Sequence, residues 1–316
     1  MDNFGRDYYD CVSSVLARSL AMMEPIPRLE LSQSPGVYQL KLPFSADWDY
    51  RILFISDIHF DAKACQRKLL LKHLKQAKEL RAPVIIVGDL LDLMQGKSDP
   101  RASKNAIRPE YLHDDYLGAV TESVADFLAP YAENILMISQ GNHEYEYQRR
   151  HEISPLTIVA MKLESKGGFR PIVAPYTGWI MLKYEYRPNA DSGGGKRHSH
   201  NVVFHHGTGG NAPVTRGAIQ SNRSAVRWIA DCVVMGHIHQ QFQMGIPRET
   251  ITNRGRRVRE ESLHLQLGCY LQEEDGDSWS QRSGFGASAL GGYWLRLYVD
   301  NLNDARPVRM QAIGTD

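Results

Sequence analysis

Five short segments of the chain carry side chains able to hold metal ions: Asp57-Ile58-His59, Gly88-Asp89-Leu90-Leu91-Asp92, Gly141-Asn142-His143-Glu144, His205-His206-Gly207 and Gly236-His237-Ile238-His239. Together they offer carboxylates, imidazoles and one amide, a donor mixture suited to two divalent cations side by side. Any one of them alone reads as a loop, a cap or a polar turn. Five in a row, each beside an apolar run, read as one site. Two cations roughly 3.5–4 Å apart need a shared ligand, because unshielded charges that close repel strongly. Asp89, fixed after Gly88 at a strand end, is the candidate for that bridge. Asp57 and His59 stand two residues apart, so in extended backbone both point to one side; His237 and His239 repeat the arrangement. Asn142 adds a neutral amide oxygen. A hydroxide held between two such cations is a nucleophile at neutral pH.

These residues need elements to carry them. The apolar run at 51–55 reads as a buried strand that ends at Asp57. A helix over about 63–80 follows, with Leu70, Leu74 and Ala77 on one face, then a strand at 84–87. The pattern repeats with a helix near 114–131, carrying Tyr116, Val120, Val124 and Phe127, and a strand at 135–138. Such alternation predicts parallel pairing, with functional groups gathered where strands run out into loops. Asp57, Asp89 and Asn142 each stand just past a strand.

The second half reads mainly as strands, at 179–186, 202–204, 232–235, 263–267 and 293–299, with short helices near 155–165 and 221–230. The expectation is an α/β fold in which a second sheet packs on the first, a two-sheet β-sandwich flanked by helices. Residues 1–50 read as a helix over 9–23, ended by Pro25 and Pro27, and a leading strand at 37–44. Both are expected to pack on a main domain spanning 51–316, whose C-terminal strands complete the sandwich. The glycine- and serine-rich stretches 188–195 and 283–292 read as surface loops.

Composition narrows the class. The 316 residues are 42% hydrophobic and 23% charged, as expected of a soluble globular chain able to bury a core. A net charge of +1 gives no global attraction to nucleic acid or to a membrane surface. Four widely spaced cysteines, Cys11, Cys65, Cys232 and Cys269, fit a reducing compartment better than a disulfide framework. Neither a signal peptide nor a membrane span is visible, so a cytoplasmic location is expected.

In order and wording the five segments resemble the signature motifs of the calcineurin-like metallophosphoesterase superfamily: Asp-x-His, Gly-Asp-x-x-Asp, Gly-Asn-His-Glu, a strand-end His, and Gly-His-x-His. The resemblance runs from residue 51 to residue 239, about 60% of the chain. Residues 88–104, 141–152 and 206–217 are similar to a branch common in phage and bacterial genomes, which implies the cytoplasm of a bacterium or a phage-infected host. The superfamily resemblance implies an αββα fold and a dinuclear metal site. Asp57, His59 and His239 would hold one ion, Asn142, His206 and His237 the other, and Asp89 would bridge them. His205 is the alternative to His206. His143 would act on the leaving group as proton donor, oriented by Asp92. The donors suit manganese first, with iron, zinc, nickel or magnesium as alternatives.

From Ser192 to Ala230 the chain has no Asp or Glu but carries Lys196, Arg197, Arg216, Arg223 and Arg227 around a Gly-Thr-Gly-Gly turn. This stretch fits either a phosphate cradle or a solvated basic face. Arg101, Arg150, His205 and Arg216 are the candidate substrate contacts, with Lys104 and Arg149 as neighbours of the same kind. The resulting expectation is hydrolysis of phosphodiesters in nucleotides or nucleic acid. The alternatives are a phosphomonoesterase, including a protein phosphatase, and a scaffold that has lost catalysis. The resemblance weighs against phosphoprotein, because Leu93 and Met94 stand where those phosphatases carry Arg-Gly. All the expected donors are present, which weighs against a scaffold. Oligomeric state is not legible.

Overall fold

The computed structural model describes residues 25–94, 106–187, 195–210, 214–272 and 288–315. The helix expected over 9–23 lies outside the described residues, as do Arg101, Lys104, and residues 188–194 and 283–287 of the two expected loops. The chain opens with strands β1 (Leu29–Leu31), β2 (Val37–Phe44) and β3 (Asp49–Ile55). It continues through α1 (Arg67–Glu79), β4 (Val84–Val87), α2 (Tyr116–Leu128), β5 (Ile135–Ser139), α3 (Asn142–His151), α4 (Pro155–Gly167) and β6 (Ile172–Ala174). The remainder is β7 (Thr177–Tyr186), β8 (Arg197–His205), α5 (Ala218–Arg227), β9 (Cys232–Met235), β10 (Phe242–Ile251), β11 (Arg257–Gln266), β12 (Tyr293–Val299) and β13 (Val308–Gly314).

Two sheets result. The first runs β13-β12-β3-β4-β5-β6, and the pairs from β3 to β6 are parallel. The second runs β1-β2-β7-β8-β9-β11-β10. In the first sheet the period-two alternation of β3 serves two cores. Leu53 and Ile55 face α1, α2 and α4 together with Leu70, Leu74, Val120, Val124 and Val159. Ile52 and Phe54 face the second sheet, where they meet Leu40, Leu42, Leu182, Val202, Phe204 and Val234. A third, smaller core holds Val203, Val233 and Met235 on the other face of the second sheet, with Trp179 and Trp228 packed on it. The layers are therefore helix, sheet, sheet and helix, the αββα arrangement expected from the sequence.

Several local readings change. α1 begins at Arg67, later than its apolar period suggests, because the preceding residues pair elsewhere: Lys63 N–H donates to Ala106 at 2.7 Å and Gln66 N–H to Tyr270 at 2.7 Å. β12 was expected in the second sheet but lies in the first, antiparallel to β3, with β13 outside it. β2, from the N-terminal part, lies in the second sheet, parallel to β7. The two sheets are thus interleaved in sequence. β10 is an edge strand paired with β11, and its weakly alternating polar sequence with Pro247 gave no strand signal. Among the described residues no helix is long and apolar enough to cross a membrane.

Candidate functional site

The C-terminal ends of β3, β4, β5, β8 and β9 converge on one edge of the sandwich, and the five motifs lie there. The backbone reaches this geometry differently from the extended form expected. Asp57 and His59 have φ of 52° and 47°, Asp89 has 49°, and His237 and His239 have 78° and 54°. Among the described residues, five of the nine non-glycine residues with positive φ are therefore donors at this edge. A left-handed residue costs about 1–2 kcal/mol, and the loops offset that by pairing with each other. Asp57 N–H donates to Gly88 at 3.2 Å, Ile58 and His59 to Asp89 at 2.8 and 3.0 Å, and Phe60 to Leu90 at 2.9 Å. Two glycines permit the contact: a Cβ on Gly88 would lie 2.3 Å from Nδ1 of His206, and one on Gly141 would lie 2.1 Å from Oδ1 of Asp89.

Asp57, His59, Asp89 and His206 are buried. Each of the two carboxylates has one oxygen held by the protein. Oδ2 of Asp57 accepts from His237 N–H at 2.8 Å and from the Ser56 hydroxyl, and Oδ1 of Asp89 accepts from His143 N–H at 3.0 Å. The other oxygens face the imidazoles. Asp57 Oδ1 lies 3.3 Å from His239 Nε2 and 3.9 Å from both His59 Nε2 and His206 Nε2. Asp89 Oδ2 lies 3.0 Å from His206 Nε2, 3.8 Å from His59 Nε2 and 3.9 Å from His143 Nε2. Asn142 Oδ1 lies 3.1 Å from His206 Nε2 and 2.7 Å from His237 Nδ1.

Outer hydrogen bonds fix which ring nitrogen faces the cluster. Nδ1–H of His59 donates to Asp92 Oδ1 at 2.9 Å, Nδ1–H of His206 to the Val87 carbonyl at 2.9 Å, and Nε2–H of His237 to the Gly209 carbonyl at 2.9 Å. Two groups of donors close enough to hold an ion follow: Asp57, His59 and His239, and Asp89, His206 and His237. A third group joins His59, Asp92 and His143. Asp57 Oδ1 and His59 Nε2 are buried and make no hydrogen bond, a state a cation would relieve. The residues present fit a pair of divalent cations.

The electrostatics agree. Burial would raise the Asp57 carboxyl, but the His206 and His239 imidazoles hold it at about 2. Burial opposes charge on His206, yet the Asp89 and Asp57 carboxylates lift it to about 9. The pocket thus demands a positive charge, and without a cation a proton supplies it.

Two further carboxylates clamp the loops. Glu144 is buried and accepts from the N–H groups of Leu91 at 2.9 Å, Gly141 at 3.0 Å and Asp89 at 3.2 Å, tying β4's loop to the start of α3. Burial and the neighbouring Asp89 push its carboxyl up to about 7. Asp61 accepts from Asp92 and Leu93 N–H at 2.7 and 3.0 Å and from the Tyr116 hydroxyl. Glu144 belongs to a segment that the sequence singles out, but its clamping role became visible only with α3. Nothing in the sequence pointed to Asp61.

Some expectations shift. The Asp92 carboxylate bonds His59 and lies 3.6 Å from His143 Nδ1, while the Asp92 carbonyl accepts from His143 Nδ1–H at 2.5 Å. Of the histidine pair, His206 enters the cluster. His205 turns away, its Nδ1 accepting from Gly207 N–H at 2.8 Å and its ring packed on Tyr176 and Trp228. Burial and His206 lower its imidazole to about 4. Arg150 lies down α3, about 12 Å along the axis from Asn142, with Nε 3.5 Å from Glu146. Arg216 is exposed in the turn before α5.

A family model described as calcineurin-like phosphoesterase matches residues 50–241. No curated protein matches the chain. Among solved structures, the chain is similar to a metallophosphoesterase from Sphaerobacter thermophilus, at 14% identity over 83% of this chain and 88% of that one, TM-score 0.30. It is similar to a conserved protein from Streptococcus pneumoniae described as a predicted phosphoesterase, at 11% identity over 85% and 99%, TM-score 0.28. It is also similar to Vps29 complexed with zinc from Entamoeba histolytica, at 12% identity over 84% and 98%, TM-score 0.33.

Two outcomes are expected of this geometry. Glu144→Ala leaves three buried N–H groups without their acceptor, so the metal-free protein should lose about 3 kcal/mol in urea unfolding. Its manganese affinity should fall about 10–100-fold, with Glu144→Gln intermediate; an unchanged affinity would remove the clamp from the site. Second, His206 carries a proton below its value of about 9 and must lose it to ligate. Manganese binding at about pH 7 should release protons and strengthen as pH rises. Calorimetry in buffers of different ionisation heat reads this directly, and a pH-independent affinity would contradict it.

Proposed function

From the premise that the chain belongs to the calcineurin-like phosphoesterase family and is a metal-dependent phosphoesterase, we propose that it hydrolyses phosphodiesters, of nucleotides or nucleic acid, with two divalent ions. Asp57, His59 and His239 would hold one ion, Asn142, His206 and His237 the other, and Asp89 would be shared. Manganese is the first metal to test, since oxygen and imidazole donors accept it readily. One observation carries the reading: Oδ2 of Asp89 stands between the two donor groups, 3.0 Å from His206 and 3.8 Å from His59. Two such ions, when bound, neutralise phosphoryl charge and acidify water.

The protein supplies the rest. Buried carboxylates and the outer hydrogen bonds hold the imidazoles in one tautomer, so little reorganisation accompanies reaction. His143 stands at the first turn of α3, its Nδ1–H committed to the Asp92 carbonyl. Its Nε2 is therefore the atom that can hold or move a proton, and it faces the cluster 3.9 Å from Asp89 Oδ2. In its protonated form that nitrogen donates to the departing oxygen of the ester. Leu93, buried at 4% exposure among apolar side chains, offers no cation to a phosphoprotein substrate. With every donor in place, a scaffold without catalysis is the weaker reading.

Asp89→Asn should abolish both metal occupancy, by elemental analysis, and turnover of aryl phosphodiesters. Retention of most activity would be inconsistent with a shared ligand, and a fully loaded wild-type protein inert on every ester would favour the scaffold. His143→Ala should instead keep its metal while slowing turnover about 10²–10⁴-fold on an ester with an alkoxide leaving group. An acidic phenol leaves without much protonation, so the loss there should be mild. Equal losses on the two esters at full metal content would argue for a purely electrostatic role, and loss of metal would overturn the assignment.

A further inference from the structure

A second concavity lies beside the cluster, and its walls alternate along the chain with the metal donors. His205, Gly207 and Thr208 surround His206 in sequence, and Gly236 and Ile238 flank His237. Consecutive Cα atoms are about 3.8 Å apart, so the two sites share a wall. The cavity measures about 40 Å³. One water needs roughly 10–15 Å³, so a phosphate-sized group has room.

The roof is α5, and it is pinned. Gly217, at φ 84°, lets the helix start directly on Ile238, where a Cβ would lie 2.0 Å from Cδ1. The Ser224 hydroxyl meets His264 Nδ1 at 3.0 Å, and Arg248 donates to the Trp228 carbonyl at 2.9 Å. Gln220, Arg223 and Arg227 on this fixed helix line the cavity, and among the described residues no carboxylate does. Neither guanidinium makes an ion pair among the described residues, in keeping with a stretch from Ser192 to Ala230 that has no acid. Two like charges four residues apart on a helix oppose each other, and no acid among the described residues pairs with either of them. Guanidinium forks, with the Thr208 hydroxyl and the Gln220 amide, are the groups that recognise a phosphate.

We propose that this cavity is a subsite for a second, non-scissile phosphate of the substrate, held by Arg223 and Arg227 while the ester to be cleaved lies on the metal cluster. It rests on the phosphoesterase reading above. The substrate class is then a phosphate ester that carries another phosphate close by. Two sources share that chemistry: the next phosphate of a nucleic-acid strand, and the second phosphate of a diphosphate ester.

The test compares three esters on the manganese-loaded protein: a p-nitrophenyl phosphodiester of thymidine, the same ester phosphorylated on its other ribose hydroxyl, and the p-nitrophenyl ester of thymidine diphosphate. The readout is the ratio of kcat/KM for each phosphorylated ester to that for the plain one. In R223A/R227A the ratio should fall about 10–100-fold for the ester whose second phosphate fits, chiefly through KM, and R223K/R227K should keep most of it. The ester that loses more identifies the source. A ratio equal to wild type for both phosphorylated esters would overturn the subsite. A second arm measures binding of fluorescein-labelled tetrathymidylate to the metal-free protein by anisotropy. R223E/R227E, with an unfolding midpoint like wild type, should bind at least about tenfold more weakly, with a salt slope shallower by roughly 0.7 per lost phosphate contact. If wild type cleaves none of the esters, the phosphoesterase reading fails and this arm alone judges the subsite. Equal binding by wild type and R223E/R227E would then reject it.

Discussion

Two carboxylates that the fold buries beside one another, Asp57 and Asp89, impose the constraint from which the site follows. Taking such charges out of water costs several kcal/mol each unless partners neutralise them. Backbone N–H groups meet part of that demand, from His237 to Asp57 and from His143 to Asp89. To aim those groups inward the chain bends into left-handed conformations after β3, β4 and β9. The backbone that follows each strand is therefore shaped by the electrostatic demand, and the same turns bring the imidazoles together. Positive charge completes the arrangement.

Much of this was legible in the sequence. Apolar runs at 84–87 and 135–138 and the helical period of Leu70, Leu74 and Ala77 located β4, β5 and α1, because buried parallel strands and packed helices leave strong patterns. Motif spacing also brought Asp57, His59, Asp89, Asn142, His206, His237 and His239 to one edge. The argument from extended backbone did not hold, since a left-handed turn leaves no mark in residue type when Asp and His adopt it. Sheet membership was equally hidden: β12 and β2 exchange sheets relative to chain order, and periodicity reports a buried face without naming the neighbour. Arg150 drew notice as a charge near a motif, but a helix carries it away from the cluster.

The interleaving has a consequence for the site. Asp57, Asp89 and Asn142 come from the first sheet, while His206, His237 and His239 come from the second. Each donor group takes residues from both. The spacing between sheets, set by Phe54, Val87, Leu182, Phe204 and Val234 in the core between them, therefore sets the spacing within the cluster. Close-packed interiors transmit small volume changes, so side chains far from any ligand have a hold on metal geometry. Hydrogen bonds within each sheet, from the Ser56 hydroxyl to the Val87 carbonyl in one and from Gly236 N–H to the His206 carbonyl in the other, stiffen both rims.

Burial alone does not sort the acids of this region, because Asp57, Asp61, Asp89, Asp92 and Glu144 are all buried. Their hydrogen bonds do. Asp61 and Glu144 have both oxygens taken by backbone N–H groups, with Tyr116 adding a third partner to Asp61, and they act as clamps. Asp92 divides itself, giving its carboxylate to His59 and its carbonyl to His143. Asp57 and Asp89 each keep one oxygen aimed at the Nε2 atoms of the imidazole cluster. A carboxylate whose lone pairs are already committed has little left for a cation. Coordinating capacity in this fold therefore follows the oxygens that the backbone leaves free, and the remaining acids hold those oxygens in place.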